Sequence, residues 1–468
     1  MKLTTQFIAL NDGTEICAPD DVTLMTNFVL REQGDWFEDE IKFVREYIQP
    51  EMNVLDIGAN YGLYSTAIAK KLGDDGHLWC FEPTPNTAKA LRATLKKNSY
   101  ESAVDVVEAG LSDHNGQATF FMTPNAELNS LSAETSLDTE EQTIELLTLD
   151  HCMKEFKWPT IDFIKLDAEG EELMILEAGT EFFKANAPLV MFELKHLENV
   201  NLPLIDAFRK LDFEPYYLIP GLNVLAPFNI NEPLDGYLLN LFCAKKETVA
   251  GLIEKGVIVE AFEGSSVENS SDPATALVTR LSEMAAFDSA SLEHLKGTDL
   301  STEYGQALSA YVRSMDESLS KQQRFNYLSD GLQFVKGAMA QGESKAERLS
   351  TYARIAFDAG FRQIGVQILQ YIIKRYMQDA VGFSITEYFV SAGKEFDKVS
   401  PATSLEGWLC ASVLDQYVRK MAHSCYFNGP KTMPIFNNLR SLELLTPEMA
   451  LREKIVLERV AAVASVNS

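Results

Sequence analysis

The sequence predicts an α/β domain with a mostly parallel sheet, followed by an all-helical domain. Between residue 53 and about residue 194, short apolar runs alternate with helical segments of about ten residues, which is typical of βαβ units. After about residue 274, strand patterns largely vanish and helical apolar spacing takes their place. Hydrophobic residues make up 46% and charged residues 23%, values that exclude wholesale disorder and fibrous repeats.

The predicted elements follow in chain order. Residues 1–50 predict short strands and turns and then a helix over 35–48, which Pro50 ends. Apolar runs predict strands at 53–58, 77–83, 104–111, 161–170 and 187–194, and helical patterns lie between them at 61–73, 86–98 and 171–179. Residues 203–247 predict a helix and a terminal hairpin, which would add an antiparallel edge to the sheet.

Composition sets the domain boundaries. The first domain is predicted over 1–250, with an N-terminal extension over 1–34. The Ser-, Asn- and Pro-rich stretch 263–275 places a linker over 251–273. A helical domain then covers 274–468; its segment YARIAFDAGFRQIGVQILQYII resembles a tetratricopeptide-type hairpin, and an irregular helical bundle is the alternative.

The charge balance narrows the classes of partner. The chain has 68 acidic and 41 basic residues, and positions 101–150 contain eleven acids and no Lys or Arg. Such a chain is poorly suited to bind nucleic acid, because binding to the phosphate backbone depends on basic patches. We expect the acidic segment 112–150 to form a long loop beside the site. Six scattered cysteines, no signal peptide and no apolar run of about 18 residues predict a reduced, cytoplasmic chain without a membrane span.

The segment VLDIGANYGLYS (54–65) lies where a strand passes into a helix. Gly58 and Gly62 permit a tight turn and a close ligand approach, and the helix that follows presents free N–H groups. Glu82 ends the second strand, where an acid can bind both hydroxyls of a ribose. The glycine spacing does not fit GxGxxG, and Asp56 suits a cationic amino-acid head better than a pyrophosphate. The segment therefore favours S-adenosylmethionine (SAM) over a nicotinamide dinucleotide.

Four segments together resemble the FkbM-type SAM-dependent methyltransferases over about residues 35–245. They are VLDIGANYGLYS, FEPTP (81–85), IDFIKLDAEGEELMILEAG (161–179) and LVMFELKH (189–196). The resemblance implies a Rossmann-like class I methyltransferase fold and methylation of hydroxyls on sugars or polyketides. By position, it implies contacts to the methionine end of SAM from Asp56, Gly58, Asn60 and Gly62. It likewise implies that Glu82 binds the ribose and that Gly110 and Leu111 flank the adenine.

Candidate catalytic residues lie at the carboxyl ends of the strands, where reacting groups gather in parallel sheets. Asp167 is the first candidate for the general base, and Lys165 would neutralise or hold it. A structural pair beneath the cofactor is the alternative role for both. His196 is a second candidate base. Asp167, Glu169 and Glu193 offer oxygen ligands for a divalent cation, although no spacing in the sequence demands a metal.

The sequence therefore predicts an enzyme, a SAM-dependent O-methyltransferase (class EC 2.1.1) that acts on a hydroxyl of a sugar, glycan or glycoconjugate. Two alternatives remain at this point. One is a protein or other macromolecular acceptor, and the other is a scaffold whose helical tail binds a partner. The helical domain could also bind a second copy of the chain.

Overall fold

The computed structural model describes residues 4–73, 75–122, 140–196, 199–262, 264, 273–340, 342, 345–379, 381–422 and 430–466. The chain begins with an antiparallel hairpin and two helices: β1 (Thr5–Ala9), β2 (Glu15–Pro19), α1 (Met25–Gln33) and α2 (Glu40–Tyr47). Seven of the nine α1 residues are buried. The buried residues include the polar Thr26, Asn27 and Glu32, so polarity along the sequence does not mark which face of α1 is exposed.

The first βα units agree with the predicted order. They comprise β3 (Asn53–Ile57), α3 (Leu63–Leu72), β4 (His77–Phe81), α4 (Pro85–Lys97) and β5 (Val104–Val107). Gly73 follows α3 with φ 66°, a left-handed conformation that glycine adopts without steric cost.

The acidic segment 112–150 is not a simple loop. After β6 (Gly110–Leu111), β7 (Gly116–Met122) and β8 (Glu140–Leu147) pair antiparallel, and α5 (Leu149–Glu155) follows. Ile144 and Leu146 of β8 are buried, so apolar residues alternate along this strand despite its acidic composition. Residues 123–139 of the predicted loop lie outside the described residues.

The second half of the sheet and its helices follow. They are β9 (Phe163–Leu166), α6 (Glu172–Ala178), α7 (Thr180–Ala185), β10 (Leu189–Glu193), β11 (Lys195–His196), β12 (Asn199–Val200), α8 (Leu202–Lys210), β13 (Phe213–Ile219), β14 (Val224–Pro227) and β15 (Asn240–Lys245). Strands β13 and β15 pair antiparallel, which confirms the antiparallel edge that the sequence predicts.

The central sheet has eight strands in the order β14-β13-β15-β10-β9-β3-β4-β5. Strands β5, β4, β3, β9 and β10 are parallel, and β15 runs antiparallel to β10. The strand order reverses between β3 and β9. In open α/β sheets, ligands bind at the carboxyl ends of the strands at such a reversal. The predicted Rossmann-like fold with a mostly parallel sheet is therefore confirmed.

A helical region follows the sheet. After α9 (Lys246–Glu254) it contains α10 (Pro273–Ser282), α11 (Ser289–Leu295), α12 (Glu303–Ser314), α13 (Lys321–Ala340), α14 (Ala346–Asp358), α15 (Arg362–Ile372), α16 (Leu405–Lys420), α17 (Met433–Ser441) and α18 (Pro447–Val466). Helices α14 and α15 pack on each other. Among the described helices, none is long and apolar enough to cross a membrane.

The helical region and the sheet domain share one hydrophobic core. Phe28 and Val29 of α1 and Val224 of β14 belong to the same buried cluster as Tyr311 and Trp408 of the helical region. Part of the predicted linker 251–273 is also packed, because Ile258 bridges to Leu225 and Val259 is buried; residues 263 and 265–272 lie outside the described part. The sheet domain and the helical region are therefore joined by a continuous interior.

Candidate active site

The turn between β3 and α3 is the first part of the candidate site. Gly58 (φ 77°) and Gly62 (φ 90°) adopt left-handed conformations, and the N–H groups of Gly58 and Ala59 both donate to the carbonyl of Phe81. A Cβ atom added to Gly58 would lie 1.7 Å from the backbone oxygen of Asp167. The glycine is therefore required because the ends of β3 and β9 touch at this point.

Asp56, Lys165 and Asp167 form a charged group at the reversal of the sheet. Lys165 Nζ lies 2.9 Å from Asp167 Oδ2 and 3.9 Å from Asp56 Oδ1, and it donates to the Gly58 carbonyl at 2.9 Å. Asp56 is fully buried, and Ser65 Oγ donates to it at 2.6 Å. The side chain of Asp167 is 36% exposed. Only Asp167 of the two aspartates is therefore accessible to a ligand.

Burial and ion pairing set the protonation of this group. Burial raises the pKa of the Asp56 carboxyl, and the nearby ammonium of Lys165 opposes the rise. Burial alone would lower the pKa of Lys165, but Asp167 and Asp56 hold it above its ordinary value. Lys165 is therefore a permanent cation here, which suits a role in holding Asp167 rather than one in proton transfer.

Glu82 connects the second strand to the glycine turn. Its Oε2 accepts the Asn60 N–H at 3.1 Å, and its Oε1 accepts the Thr84 N–H at 2.9 Å and the Thr84 hydroxyl. The side chain is buried, and this burial raises the pKa of the Glu82 carboxyl. Thr84 and the backbone of Asn60 thus fix both oxygens at the carboxyl end of β4.

The predicted strand 104–111 is two strands: β5 belongs to the central sheet, whereas Gly110 and Leu111 form β6, which pairs with β8 in a separate three-stranded sheet. Leu111 is buried, and Gly110 is half-buried beside Pro83, since a Cβ on Gly110 would lie 3.7 Å from Pro83 Cβ. Because Pro83 follows Glu82 directly, the structure brings together Glu82, Gly110 and the turn after β3.

The structure also shows contacts that sequence patterns did not indicate. Tyr64 OH donates to Glu38 Oε2 at 2.5 Å, and Lys165 Nζ lies 5.6 Å from the centre of the Tyr64 ring. Ser65 holds Asp56. None of these pairings corresponds to a sequence spacing that signals contact, because each joins different elements.

His196, the second candidate base, lies in the short strand β11. It pairs with Asn199 through the backbone of β11 and β12, and its side chain lies outside the described part of the structure.

The candidate metal ligands form a different set from the one predicted. Asp167 and Glu193 lie together with Glu172, with carboxylate oxygens within 4.8 Å of one another. The third member is thus Glu172 and not Glu169. Glu172 Oε1 accepts the Ala168 N–H at 2.8 Å, so it also has a structural role.

Comparison with known proteins agrees with this geometry. The family model for the methyltransferase FkbM domain matches residues 56–215, from Asp56 at the end of β3 to β13. The chain contains an FkbM methyltransferase domain. It is similar to the hexuronic acid methyltransferase AglP of Haloferax volcanii, with 26% identity over 145 residues; the match covers 31% of this chain and 56% of that protein. The aligned region is thus just over half of the relative's length.

Solved methyltransferase structures are also similar. A methyltransferase FkbM from Methylobacillus flagellatus is 15% identical, with 48% of this chain and 55% of that chain covered and a TM-score of 0.29. A SAM-dependent O-methyltransferase from Thermotoga maritima is 12% identical, with coverages of 51% and 77% and a TM-score of 0.27.

The cofactor of the FkbM methyltransferase domain is SAM, and the residues of the site fit it. Asn60 Oδ1 is buried and accepts no hydrogen bond from the described residues, so one polar acceptor beside the glycine turn is available to a ligand. A buried acceptor is costly unless a polar group pairs with it. Gly58 is partly exposed at this turn, whereas Gly62 packs against Leu91, and Glu82 follows the adjacent strand β4.

Proposed function

We propose that the chain is a SAM-dependent O-methyltransferase that methylates a hydroxyl of a sugar, glycan or glycoconjugate. The observation that carries the proposal is the Lys165–Asp167 pair, 2.9 Å apart, beside the glycine turn of an FkbM methyltransferase domain. A similar protein is named a hexuronic acid methyltransferase, which supports a sugar as the acceptor class.

The cofactor residues divide among three strand ends. We assign the methionine end of SAM to the turn of Gly58, Asn60 and Gly62 at the end of β3, with Asp56 buried behind this turn as a source of negative charge rather than as a direct contact. Glu82 is assigned to the ribose hydroxyls and Gly110 and Leu111 to the adenine, in the order of β4 and the strand after it. When bound, SAM supplies an activated methyl group on a sulfonium.

Asp167 is assigned the acceptor hydroxyl. Its carboxylate is partly exposed at the carboxyl end of β9, so it can accept the proton that the hydroxyl loses as its oxygen gains the methyl group. Lys165 keeps this carboxylate in position through its ion pair and its bond to the Gly58 carbonyl. Such positioning favours catalysis, because methyl transfer requires the acceptor hydroxyl to lie in line with the sulfonium–methyl bond that breaks. His196 remains the second candidate base.

The test begins with calorimetric titration of the full chain with S-adenosylhomocysteine. We expect one-to-one binding with a micromolar dissociation constant. Glu82→Gln should weaken binding about tenfold or more, because it removes the charge that accepts hydrogen bonds from the ribose. Glu254→Gln changes charge equally at an exposed residue of α9 and should bind as the unchanged chain does. No binding to the unchanged chain would refute the proposed function.

A second measurement addresses the acceptor class. The full chain, SAM and a panel of glycosides are incubated, and S-adenosylhomocysteine formation is followed. The proposal is supported if S-adenosylhomocysteine forms faster with a glycoside than it does without an acceptor. Formation only with proteins, or with none of the glycosides, would refute the sugar assignment and leave the cofactor assignment intact.

A further inference from the structure

Glu38 lies in the segment between α1 and α2, before the region that the family model matches. Its Oε2 accepts the hydroxyl proton of Tyr64 at 2.5 Å. Tyr64 is the second residue of α3, the helix that follows the glycine turn, and its side chain is buried. This hydrogen bond therefore joins the segment before α2 to the helix that begins at the proposed cofactor site.

The Tyr64 ring contacts the ammonium group of Lys165. Lys165 Nζ lies 5.6 Å from the centre of the ring, and the Lys165 side chain is only 7% exposed. An ammonium within about 6 Å of an aromatic ring face is attracted by the ring, most strongly where water is excluded. The ring thus adds a contact to a cation that already pairs with Asp167 and donates to the Gly58 carbonyl.

The charges of the Lys165–Asp167 pair also act on Glu38. Burial raises the pKa of the Glu38 carboxyl, and the hydrogen bond from Tyr64 opposes the rise. The Asp167 carboxylate adds to the rise, whereas the Lys165 ammonium opposes it. The Glu38 carboxyl therefore lies within electrostatic reach of both members of the pair.

Ion pairs fix the segment on both sides of Glu38. Before it, Asp35 Oδ2 lies 2.6 Å from Arg45 Nη1 of α2. After it, Asp39 Oδ2 accepts from Lys420 Nζ of α16 at 2.9 Å, and both of these side chains are partly buried. The helical region thus takes part in holding the segment that carries Glu38.

A cavity that is open to solvent lies between α2 and the helical region. Glu38 is among the described residues that line it, whereas Tyr64 and Lys165 are not. The contact between Glu38 and Tyr64 therefore separates the water of this cavity from the Lys165 ammonium. Water that reached the ammonium would weaken its attraction to Asp167, because water screens charges much more strongly than a protein interior does.

We propose that Glu38 and Tyr64 are positioning residues for the methyl transfer. Their hydrogen bond holds the Tyr64 ring against the Lys165 ammonium and keeps the water of the cavity away from it, so that Lys165 holds Asp167 in place for the acceptor hydroxyl. Neither residue exchanges a proton with the acceptor. This proposal rests on the proposed function and deepens it, and it gives the helical region a part in ordering the reaction centre.

Glu38→Met and Glu38→Gln in the full chain test this hydrogen bond through turnover. Met has nearly the length of Glu and no strong acceptor, whereas the amide oxygen of Gln still accepts from Tyr64. With SAM and the glycosides of the panel, we expect kcat to fall about tenfold in Glu38→Met, as the loss of a hydrogen bond to a charged group predicts. The KM for SAM and the affinity for S-adenosylhomocysteine should not change. Glu38→Gln should restore kcat, and Glu46→Met at an exposed position of α2 is the control that should alter none of these quantities.

A second measurement needs no acceptor. A short pulse of succinimidyl acetate labels accessible amines, and mass spectrometry compares the labelling of Lys165 with that of the exposed Lys154. We expect Lys165 to be labelled about fivefold faster in Glu38→Met and in Tyr64→Phe, the factor by which loss of one hydrogen bond raises the population of an open form. Glu38→Gln and Glu46→Met should be labelled as the unchanged chain is.

The outcomes separate positioning from other roles. A loss of kcat in Glu38→Met that Glu38→Gln restores, together with faster labelling of Lys165, supports the proposal. Unchanged kcat, unchanged labelling, or an equal loss of kcat in both Glu38 variants would overturn it. If Glu38→Met does not fold, Tyr64→Phe decides in its place, because it removes only the donor hydroxyl. If no glycoside is turned over, the sugar assignment fails and the labelling still decides whether the contact shields Lys165. Failure of the unchanged chain to bind S-adenosylhomocysteine would instead refute the function on which the proposal rests.

Discussion

Lys165 Nζ lies 2.9 Å from Asp167 Oδ2 at the point where the strand order of the sheet reverses. The lysine is buried and the aspartate is partly exposed, so the pair presents one carboxylate toward the space above the glycine turn. The same lysine interacts with Asp56 at 3.9 Å. One cation therefore connects the proposed methionine end of the cofactor site to the proposed acceptor base.

Asp167→Asn tests the assignment of the base. The amide keeps the shape of the side chain and cannot accept a proton, so we expect turnover to fall by about 10²–10⁴-fold. Affinity for S-adenosylhomocysteine should change little, because the assigned cofactor contacts lie on β3 and β4. Calorimetry and a turnover assay on the same preparation measure both quantities. Unchanged turnover would mean that Asp167 serves as a structural partner of Lys165.

Gly58→Ala tests the contact between the ends of β3 and β9. The new Cβ would lie 1.7 Å from the Asp167 oxygen at a φ of 77°, so the strand ends must separate. We expect a loss of about 2 kcal/mol or more in unfolding free energy and weaker S-adenosylhomocysteine binding. Gly13→Ala is the control, since it has φ 85° and no heavy atom within 4 Å of the new Cβ. Its cost should be limited to about 1 kcal/mol. Urea denaturation of both variants measures the difference, and equal costs would contradict the close approach.

Arg452→Met tests whether the first and last helices stabilise each other. Arg452 Nη1 of α18 lies 3.0 Å from Glu32 Oε1 of α1, and both side chains are buried. Arg452→Met takes this ion-pair partner from the buried Glu32 carboxylate, and breaking a buried ion pair typically costs about 3–5 kcal/mol. Arg31→Met is the control, because its pair with Glu458 is partly exposed and should contribute about 1 kcal/mol or less. Similar unfolding midpoints for the two variants would show that the buried pair does not join the helices energetically.

Glu40→Gln tests the surroundings of the Glu40 carboxyl through the pH dependence of stability. The pKa of Glu40 is raised from 4.5 to about 8; burial is the largest cause, Glu38 and Asp39 contribute to the rise, and Arg362 opposes it. Between these two pKa values the folded chain holds a proton that the unfolded chain releases, so the stability due to Glu40 falls as the pH rises toward 8.

The variant lacks this titration. Relative to the unchanged chain, it should therefore gain about 1 kcal/mol in unfolding free energy between about pH 5.5 and pH 8.5. This is well below the full linkage value, because Glu40 is partly exposed to solvent. Urea denaturation at both pH values measures the gain. A constant difference between the variant and the unchanged chain would show that Glu40 has an ordinary pKa.

Local patterns determined much of this protein. The alternation of strands and helices, the glycine turn after β3, and the acids at the strand ends are all legible in the sequence, because each depends on neighbours within one turn or one strand. The position of Glu82 at the end of β4, near the turn, follows from the parallel arrangement of consecutive βα units. The family resemblance over residues 35–245 rests on the same segments.

Two elements escaped prediction for identifiable reasons. Helix α1 buries the polar residues Thr26, Asn27 and Glu32, so the polarity of its sequence does not mark its exposed face. Strand β8 carries three glutamates among its eight residues, and these obscured the alternation of its apolar residues. In both cases the tertiary neighbours, rather than the local composition, decide the structure.

Only the tertiary structure decided which distant residues meet. The Tyr64–Glu38 bond, the association of Glu172 with Asp167 and Glu193, and the cavity between α2 and the helical region depend on how whole elements pack. Sheet order and helix docking are set by the burial of complete apolar faces, and the periodicity of one segment does not specify its partner face. The sequence by itself thus determined the chemistry of the cofactor turn, whereas packing determined the shape and charge of the space beside it.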